Sequence, residues 1–470
     1  MSQESSLKRA ASFWNVLAQG LMSNGPLAST TVALTAAASF GLGSTPLAYL
    51  VGIIVVALWI NTPYQFSKRL ASASGMYYFV AKGVSTEAGY AAGLSYVLYY
   101  LFLIPANSLF FGVLVPTMLG QLGIATPSWL WIPLALIFLI PVAWLNIVGV
   151  RTSLNYGIVT VVIEILVLIV VSIAVIAGAG SHNTLAVFSM KYASGGFSGF
   201  GIAMLVAAFG MSGSTATIYL GEETHAPQQT IRRALIWATL IVVLLYVLVA
   251  YAFTVGWGVT QMGSFASSSV PGLLIVKRYL GVAPEMIIAI LAINSIVGVN
   301  VAATIVVSRL LYSFGRATLF PASYATVHER YHTPVRAIAW TTVVSAVLVL
   351  LTGFWQGPAG GFILCILVAT MAEFLGHLIG NLGLPFYYWR ENAFRILLHG
   401  IIPVLSIVTI LLGLWTTFVP PSFPTWLAPV LGIVVVIVGI VQVRWIRSRS
   451  AERAARADAA LAEIGSDIGA

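Results

Sequence analysis

The sequence predicts an all-α integral membrane protein with about twelve transmembrane helices. Only 7% of its 470 residues are charged, 59% are hydrophobic, and the mean hydropathy is +0.98. A soluble domain of this length would need a larger charged surface. The net charge of +9 comes from Lys and Arg residues dispersed between apolar stretches. This pattern indicates membrane topology rather than nucleic-acid binding, so the lipid bilayer is the predicted large partner.

Each predicted helix, called a span below, is an apolar run that ends at polar, basic or Gly and Pro residues. A polar tail at 1–13 precedes span 1, and an Ala-rich tail at 447–470 is predicted to form a frayed surface helix. The twelve spans are predicted, from apolar runs of about 20 residues, at 14–40, 47–66, 89–114, 129–146, 153–177, 198–223, 234–256, 284–313, 337–354, 361–380, 396–418 and 429–446.

The placement of basic residues predicts the orientation of the chain. All but three of the 22 Lys and Arg residues fall at the termini, in the loops on the same side of the membrane as the termini, or, for Arg309 and Arg444, near the ends of the spans that lead to that side. The exceptions are Lys191, Lys277 and Arg278. Because cytoplasmic loops carry the excess of Lys and Arg, both termini are predicted to be cytoplasmic, in a multi-pass protein of the cell membrane. The N-terminus shows no cleavable signal peptide, and the lone Cys365 is predicted to serve packing.

Spans 1 and 6 are interrupted by residues that do not suit a membrane helix. The first break is Ser23-Asn24-Gly25-Pro26, and the second is the stretch 210–215, Gly-Met-Ser-Gly-Ser-Thr. Non-helical backbone at this depth is tolerated where it lines a cavity or is buried in protein. Two breaks five spans apart predict an inverted five-plus-five repeat, 14–177 and 198–380, within a core at 14–380 that is followed by helices 11 and 12 at 381–446. The alternative is that Gly and Pro kink two ordinary spans.

Two sequence blocks resemble the amino acid–polyamine–organocation (APC) superfamily of permeases. The first combines an aromatic residue, a glycine-rich break, a Glu pair, a Pro and a basic pair: Phe209, Gly210–Gly213, Glu222, Glu223, Pro227, Arg232 and Arg233. The second follows span 8 and comprises Arg309, Tyr312, Arg316, Pro321, His328, Arg330, Thr333 and Pro334. The resemblance covers nearly the whole chain and implies a LeuT-like fold, secondary active transport and an amino acid as substrate. The first break departs from the family's Gly-rich sequence by having Asn24 and Pro26.

Broken helices offer both charges that an amino acid needs. The N-terminus of a half-helix presents unpaired N–H groups to a carboxylate, and the C-terminus presents carbonyl groups to an ammonium. The predicted substrate-binding residues are Ser23, Asn24, Gly25, Pro26, Gly210, Ser212, Gly213 and Ser214. Phe209 is predicted to cover the ligand, with simple packing as the alternative.

Two acidic residues lie inside predicted spans. Glu164 falls where the resemblance implies a lysine in several proton-coupled members, and we predict that it carries the coupled proton. Its alternative role is a neutral, hydrogen-bonded contact between helices. Glu373 and His377 are spaced i,i+4 on span 10, and we predict a structural pair at the cytosolic end.

The resemblance also implies an inner gate at the end of span 6. We predict that Glu222 and Glu223 form ion pairs there with basic residues of other loops, such as Arg69 and Arg316. A solvated acidic pair is the alternative.

The sequence therefore favours a proton-coupled symporter of amino acids that works by alternating access around a site between the breaks. No enzyme is predicted, since nucleophile and phosphate-binding motifs are missing, and no metal or organic cofactor is predicted. Sodium coupling, exchange, and a polyamine or other organic cation as substrate stay open, as does the oligomeric state. A non-transporting amino acid sensor is the alternative from another class, and two helix breaks argue against a channel.

Overall fold

The computed structural model describes residues 7–268, 270–418 and 423–466. Over these residues the chain is helical, and its only β-type contact is an isolated bridge between Ala11 and Thr224. Within the same residues, nine helical stretches are long and apolar enough to cross a membrane. The all-α class is confirmed, while the twelve-span arrangement stays a prediction. Residues 1–6 and 467–470 of the two predicted tails lie outside the described residues.

Span 1 is broken where the sequence predicts. Its halves are the helices Phe13–Asn24 and Pro26–Gly41. Gly25 between them has a φ of 52°, in the left-handed region that favours glycine. Pro26 takes the first position of the second helix, where its missing N–H costs no helical hydrogen bond.

Spans 2 to 5 are joined by short connections, and a short helix, Met76–Gly83, precedes span 3. Their helices are Thr45–Ser67 for span 2, Thr86–Gln121 for span 3, Trp131–Ile137 and Leu139–Ile147 for span 4, and Val150–Ala179 for span 5.

Span 6 is also broken as predicted. The helix Phe197–Gly210 ends at Met211 and Ser212, and a tighter 3₁₀ helix, Gly213–Glu223, continues the chain. The helices after it are Pro227–Trp257 for span 7, Met262–Ser267 and Pro271–Leu280 in the following loop, Val282–Arg316 for span 8, Val335–Arg390 for spans 9 and 10, Ile396–Ile401 and Ile402–Phe418 for span 11, and Leu427–Arg449 for span 12.

Spans 9 and 10 meet at Gly357, whose φ of 71° interrupts the 56-residue helix. Span 10 then continues to Arg390, past its predicted end at Gly380. The C-terminal helix Ala451–Ser466 is docked rather than frayed, because Asp458 pairs with Arg447 at 3.0 Å and Leu461 is buried. The helix therefore lies at the surface, as predicted, with one side packed against the protein.

The two broken spans lie against each other at their breaks. A Cβ atom added to Gly213 would lie 2.7 Å from the carbonyl oxygen of Ser23 and 2.9 Å from the backbone nitrogen of Asn24. Only glycine allows this approach, because Cβ atoms in proteins essentially never lie within 3.0 Å of such atoms. The close contact brings four half-helix ends into one small region.

Candidate functional site

Asn24 joins the two breaks through its side chain. Its Oδ1 accepts a hydrogen bond from the Gly213 N–H at 3.1 Å, and its Nδ2 donates to Ser214 Oγ at 3.1 Å and to the Gly20 carbonyl at 2.7 Å. Asn24 therefore satisfies an N–H group at the start of the second half of span 6, as a capping residue would. Asn24, one of the two residues by which this break departs from the Gly-rich sequence described above, is therefore the one that links the two spans.

The end of the first half of span 1 is also satisfied by protein groups. The Asn24 carbonyl oxygen accepts hydrogen bonds from Ser29 Oγ at 2.5 Å and from the Tyr246 hydroxyl at 3.0 Å. This carbonyl is therefore already occupied in the conformation described.

Glu164 contacts the N-terminus of the second half of span 1. Its Oε2 accepts hydrogen bonds from the Leu27 N–H at 3.1 Å and from Ser295 Oγ at 2.7 Å. Ser295 Oγ in turn accepts from the Ala28 N–H at 3.2 Å. A buried acid thus lies at the positive end of a half-helix, where an anion is stabilised.

A cavity of about 310 Å³ lies beside the two breaks. Five predicted site residues contribute to its wall: Ser23, Asn24, Phe209, Gly210 and Gly213. The rest of the wall is largely apolar, with uncharged polar groups such as Tyr99, Asn107 and Thr370. Four further predicted residues, Gly25, Pro26, Ser212 and Ser214, are buried behind the wall, as is Glu164.

The cavity extends away from the end of the protein that carries the termini. Its wall includes Ala36 in the second half of span 1, Ile202 in the first half of span 6 and Thr417 near the end of span 11. By chain direction, all three lie on the far side of the breaks from the termini.

The side of the termini is closed by ion pairs at the end of span 6. Glu223 accepts from Arg309 Nε and Nη2, both at 3.0 Å, and the two side chains are at most 1% exposed. Glu222 pairs with Arg316 at 2.9 Å and also accepts from the Ala73 N–H at 3.2 Å.

Two further contacts shape this face. The N–H groups of Ala10 and Ala11 donate to the Glu223 carbonyl oxygen at 2.9 and 2.8 Å, so the N-terminal tail is attached to the same place. Arg69, predicted as a gate residue, pairs with Glu391 at 3.1 Å rather than with either gate acid.

Basic side chains are concentrated at this face. Burial lowers the pKa of Lys68, and the charges of Arg232 and Arg395 lower it further. Several positive charges are therefore close enough to affect one another at the side that carries the termini.

Glu373 lies beside the break of span 6, and not at the end of its span as predicted. Its Oε1 is 2.7 Å from Ser212 Oγ and 3.6 Å from His377 Nε2, and both side chains of the i,i+4 pair are at most 1% exposed. The prediction placed the pair too near a helix end because it ended span 10 at Gly380, whereas the helix reaches Arg390.

Sequence reasoning missed three residues that complete the site: Arg309 as the partner of Glu223, Ser295 beside Glu164, and Tyr246 on the Asn24 carbonyl. Arg309 carries a usable signal, since an arginine inside an apolar span needs a buried acid as partner. The other two are uncharged residues in apolar helices and carry no such signal. The described residues contain no group of three His, Cys, Asp or Glu side chains placed to hold a metal ion.

Comparison with known proteins places this arrangement in a family. The family profile "Amino acid permease" matches residues 20–454, most of the chain. The chain belongs to the amino acid permease family. This membership confirms the resemblance to the APC superfamily, and it identifies the protein as a multi-pass membrane transporter and not an enzyme.

Curated relatives differ in the substrate that their names give. The low-affinity putrescine importer PlaP of Escherichia coli (strain K12) is 24% identical over 321 residues, covering 66% of this chain and 68% of the relative. The branched-chain amino acid permease BcaP of Bacillus subtilis (strain 168) is 22% identical over 367 residues, covering 74% and 76%. BcaP of Lactococcus lactis subsp. cremoris (strain MG1363) is 24% identical over 329 residues, covering 67% and 69%. The names of these relatives therefore include both a putrescine importer and amino acid permeases.

Proposed function

We propose that this permease is a proton-coupled symporter of amino acids with apolar side chains. It works by alternating access in the cell membrane, with both termini in the cytoplasm. The observation that carries the proposal is the cavity at the two breaks, whose wall is largely apolar and contains no charged side chain.

The wall of the cavity favours an amino acid over a diamine. Putrescine carries an ammonium at each end, and a buried ammonium needs a carboxylate or several aligned acceptors. The two buried acids near the breaks, Glu164 and Glu373, both lie behind the wall. An apolar side chain, in contrast, is stabilised by contact with residues such as Leu103, Ile202 and Phe374, at about 25 cal/mol per Å² of buried apolar surface.

The backbone of the breaks supplies the polar contacts. The carbonyl end of the first half of span 6, at Phe209 and Gly210, faces the cavity and suits the ammonium. The N-terminus of the second half of span 1, near Ala28, suits the carboxylate.

Glu164 connects carboxylate binding to the proton. An ionised Glu164 already occupies the Leu27 N–H and would repel a second carboxylate at this helix end. Protonation removes that charge, so that the proton and the substrate carboxylate each favour binding of the other. Symport follows, because the two then enter and leave together.

The ion pairs at the end of span 6 support alternating access. They close the side of the termini while the cavity extends toward the opposite side. Opening toward the cytoplasm requires that the Glu222 and Glu223 pairs with Arg316 and Arg309 separate.

The test is uptake by the purified full-length protein in liposomes. Radiolabelled leucine, isoleucine, valine and putrescine are offered with an inward proton gradient, an inward sodium gradient, or neither. We expect concentrative uptake of the three amino acids with the proton gradient and little uptake of putrescine. Concentrative uptake of putrescine alone, or no flux of a bound amino acid, would contradict the proposal; the latter would favour a sensor.

The coupling role of Glu164 is tested with Glu164→Gln, which keeps an acceptor for Leu27 and Ser295 and cannot exchange a proton. We expect it to lose proton-driven accumulation and to retain counterflow of leucine against leucine. Glu285→Gln is the matched control, because Glu285 is equally buried and lies at the start of span 8, remote from the breaks. Accumulation that persists in Glu164→Gln would refute this role.

A further inference from the structure

The hydroxyl of Ser212 has two acceptors and one proton. Ser212 Oγ lies 2.8 Å from the Phe209 carbonyl oxygen and 2.7 Å from Glu373 Oε1. Because a hydroxyl donates one hydrogen bond, it serves either the carbonyl or the carboxyl group. If the hydroxyl donates to the Phe209 carbonyl, then Glu373 must be protonated and must donate to Ser212 Oγ. If Glu373 is ionised, it accepts the hydrogen bond from the Ser212 hydroxyl instead.

The Phe209 carbonyl is at the carbonyl end of the first half of span 6. One of its lone pairs already accepts from the Ser212 N–H at 3.2 Å. The second is the one that Ser212 Oγ approaches. Phe209 lines the cavity, and a carbonyl at the C-terminus of a half-helix suits an ammonium.

Glu373 and His377 can hold one proton between them without a net charge. Both are buried, and Glu373 Oε2 and both ring nitrogens of His377 lack hydrogen-bond partners in the described structure. A lone ionised group this poorly solvated is costly. The pair therefore holds one shared proton, either on Glu373 as a neutral pair or on His377 as a close ion pair.

The described side chains around the pair add no compensating charge. Aromatic and phenolic groups face it from other helices: Trp59 on span 2, and Tyr96, Tyr99 and Tyr100 on span 3.

We propose that Glu373 and His377 form a proton-sharing pair that switches the Ser212 hydroxyl and so controls the ammonium subsite at Phe209. The inference rests on the proposed function, because it assigns a ligand ammonium to the cavity. In the empty state the carboxyl proton is on Glu373, which donates to Ser212, and Ser212 donates to the Phe209 carbonyl.

When an ammonium enters, the Glu373 proton moves to His377 Nε2. The O–H bond of the carboxyl group breaks and an N–H bond forms, so no proton leaves the protein. The Ser212 hydroxyl then turns to the ionised carboxylate and leaves the Phe209 carbonyl to the ammonium. Glu373 and His377 are positioning residues, since neither lines the cavity.

The placement of the two buried acids beside the breaks follows the predicted repeat. Glu164 is on span 5 and contacts the break of span 1, and Glu373 is on span 10 and contacts the break of span 6. The first faces the N–H end of a half-helix and the second faces a carbonyl end. One acid is thereby assigned to the carboxylate of the ligand and the other to its ammonium.

The experiment compares ligands with and without the amine. Binding of L-leucine and of 4-methylpentanoate, which has the same carbon skeleton and no ammonium, is measured on the detergent-solubilised full-length protein. Glu373→Gln imitates the protonated acid and holds Ser212 on the Phe209 carbonyl. We expect it to weaken leucine binding on the order of tenfold, as for loss of a hydrogen bond to a charged group, and to change 4-methylpentanoate binding less than about twofold.

A double-mutant cycle separates the switch from a general loss of charge or structure. In Ser212→Ala no hydroxyl competes for the carbonyl, so the leucine penalty of Glu373→Gln should fall to about threefold or less. The inference would be overturned if Glu373→Gln weakened leucine binding equally with Ser212 present and with Ser212→Ala. It would also be overturned if Glu373→Gln weakened the binding of leucine and of 4-methylpentanoate equally. If Glu373→Gln does not fold, His377→Gln carries the same expectations, because the proton then has no acceptor.

The wild-type protein separates failure of this inference from failure of the proposed function. If it neither binds nor accumulates leucine, the proposed function fails and the inference fails with it. If wild-type uptake is intact and the variants show no difference between leucine and 4-methylpentanoate, only the inference fails.

Discussion

Glu223→Gln tests the ion pair that closes the protein on the side of the termini. The substitution keeps the shape of the side chain and removes the charge that neutralises Arg309. Both side chains are at most 1% exposed, and the pair makes two hydrogen bonds of 3.0 Å. The guanidinium would therefore be left buried without its counter-charge.

The magnitude follows from this burial. Removing one partner of a buried ion pair costs about 3–5 kcal/mol, because the other charge stays desolvated. If water reaches Arg309 when the protein opens on the side of the termini, the unpaired charge destabilises only the conformation that is closed on that side. A shift of about 3 kcal/mol raises the open population roughly 10²-fold, at 1.4 kcal/mol per factor of ten.

Cysteine labelling measures that population. Ala73 is buried beneath the pairs at this end of the protein, and Ala73→Cys reports opening to a membrane-impermeant maleimide. The sole native cysteine, Cys365, is buried and is replaced by Ala so that the signal comes from one site. We expect the labelling rate to rise roughly 10²-fold in Glu223→Gln and to fall again in Glu223→Gln/Arg309→Met, which removes both charges.

The exposed pair on the same face provides the control. Glu391→Gln breaks the Arg69 pair, whose side chains are 39% and 47% exposed, and such pairs contribute about 0–1 kcal/mol. Its labelling rate should stay within about fivefold of the parent rate. A rate that is unchanged by Glu223→Gln, or raised equally by Glu391→Gln, would refute the reasoning.

Three further predictions concern the breaks. Gly213→Ala should abolish leucine uptake, because its Cβ would lie within 2.9 Å of three backbone atoms of span 1, whereas Gly201→Ala on the same span has nothing within 4 Å and should keep wild-type uptake. Asn24→Ala should lower the melting temperature and stop uptake, since three hydrogen bonds, two of them across the breaks and each contributing about 0.5–1.5 kcal/mol, are lost; a wild-type melting temperature would count against the bridge. Phe209→Ala should weaken leucine binding about tenfold by removing an aromatic wall, while the exposed Phe386→Ala should have no effect; equal binding by both would show that Phe209 only packs.

Local chemistry explains what the sequence predicted well. Gly25 and Pro26 cannot continue a helix without strain or a lost bond, so the break of span 1 could be placed to the residue. The stretch after Gly210 combines glycine with hydroxyl groups at membrane depth, which identified the second break in the same way.

Pairings between distant residues could not be predicted in the same manner. Glu223 and Arg309 are 86 residues apart, and several arginines were available as partners. Only the packing of span 8 against span 6 selects Arg309, and the same packing leaves Arg69 to Glu391. The depth of Glu373 was wrong because hydropathy marks where apolar runs end, and span 10 continues through Asn381 and Pro385.

The attachment of the N-terminal tail has a consequence for how the closed side can be studied. Ala10 and Ala11 hold the Glu223 carbonyl through their own N–H groups, so these bonds are independent of side-chain identity. A scan of side-chain substitutions would therefore not remove these two hydrogen bonds, however many positions it covered. Shortening the chain from its N-terminus, or replacing single amides by esters at these two residues, is the perturbation that reaches it.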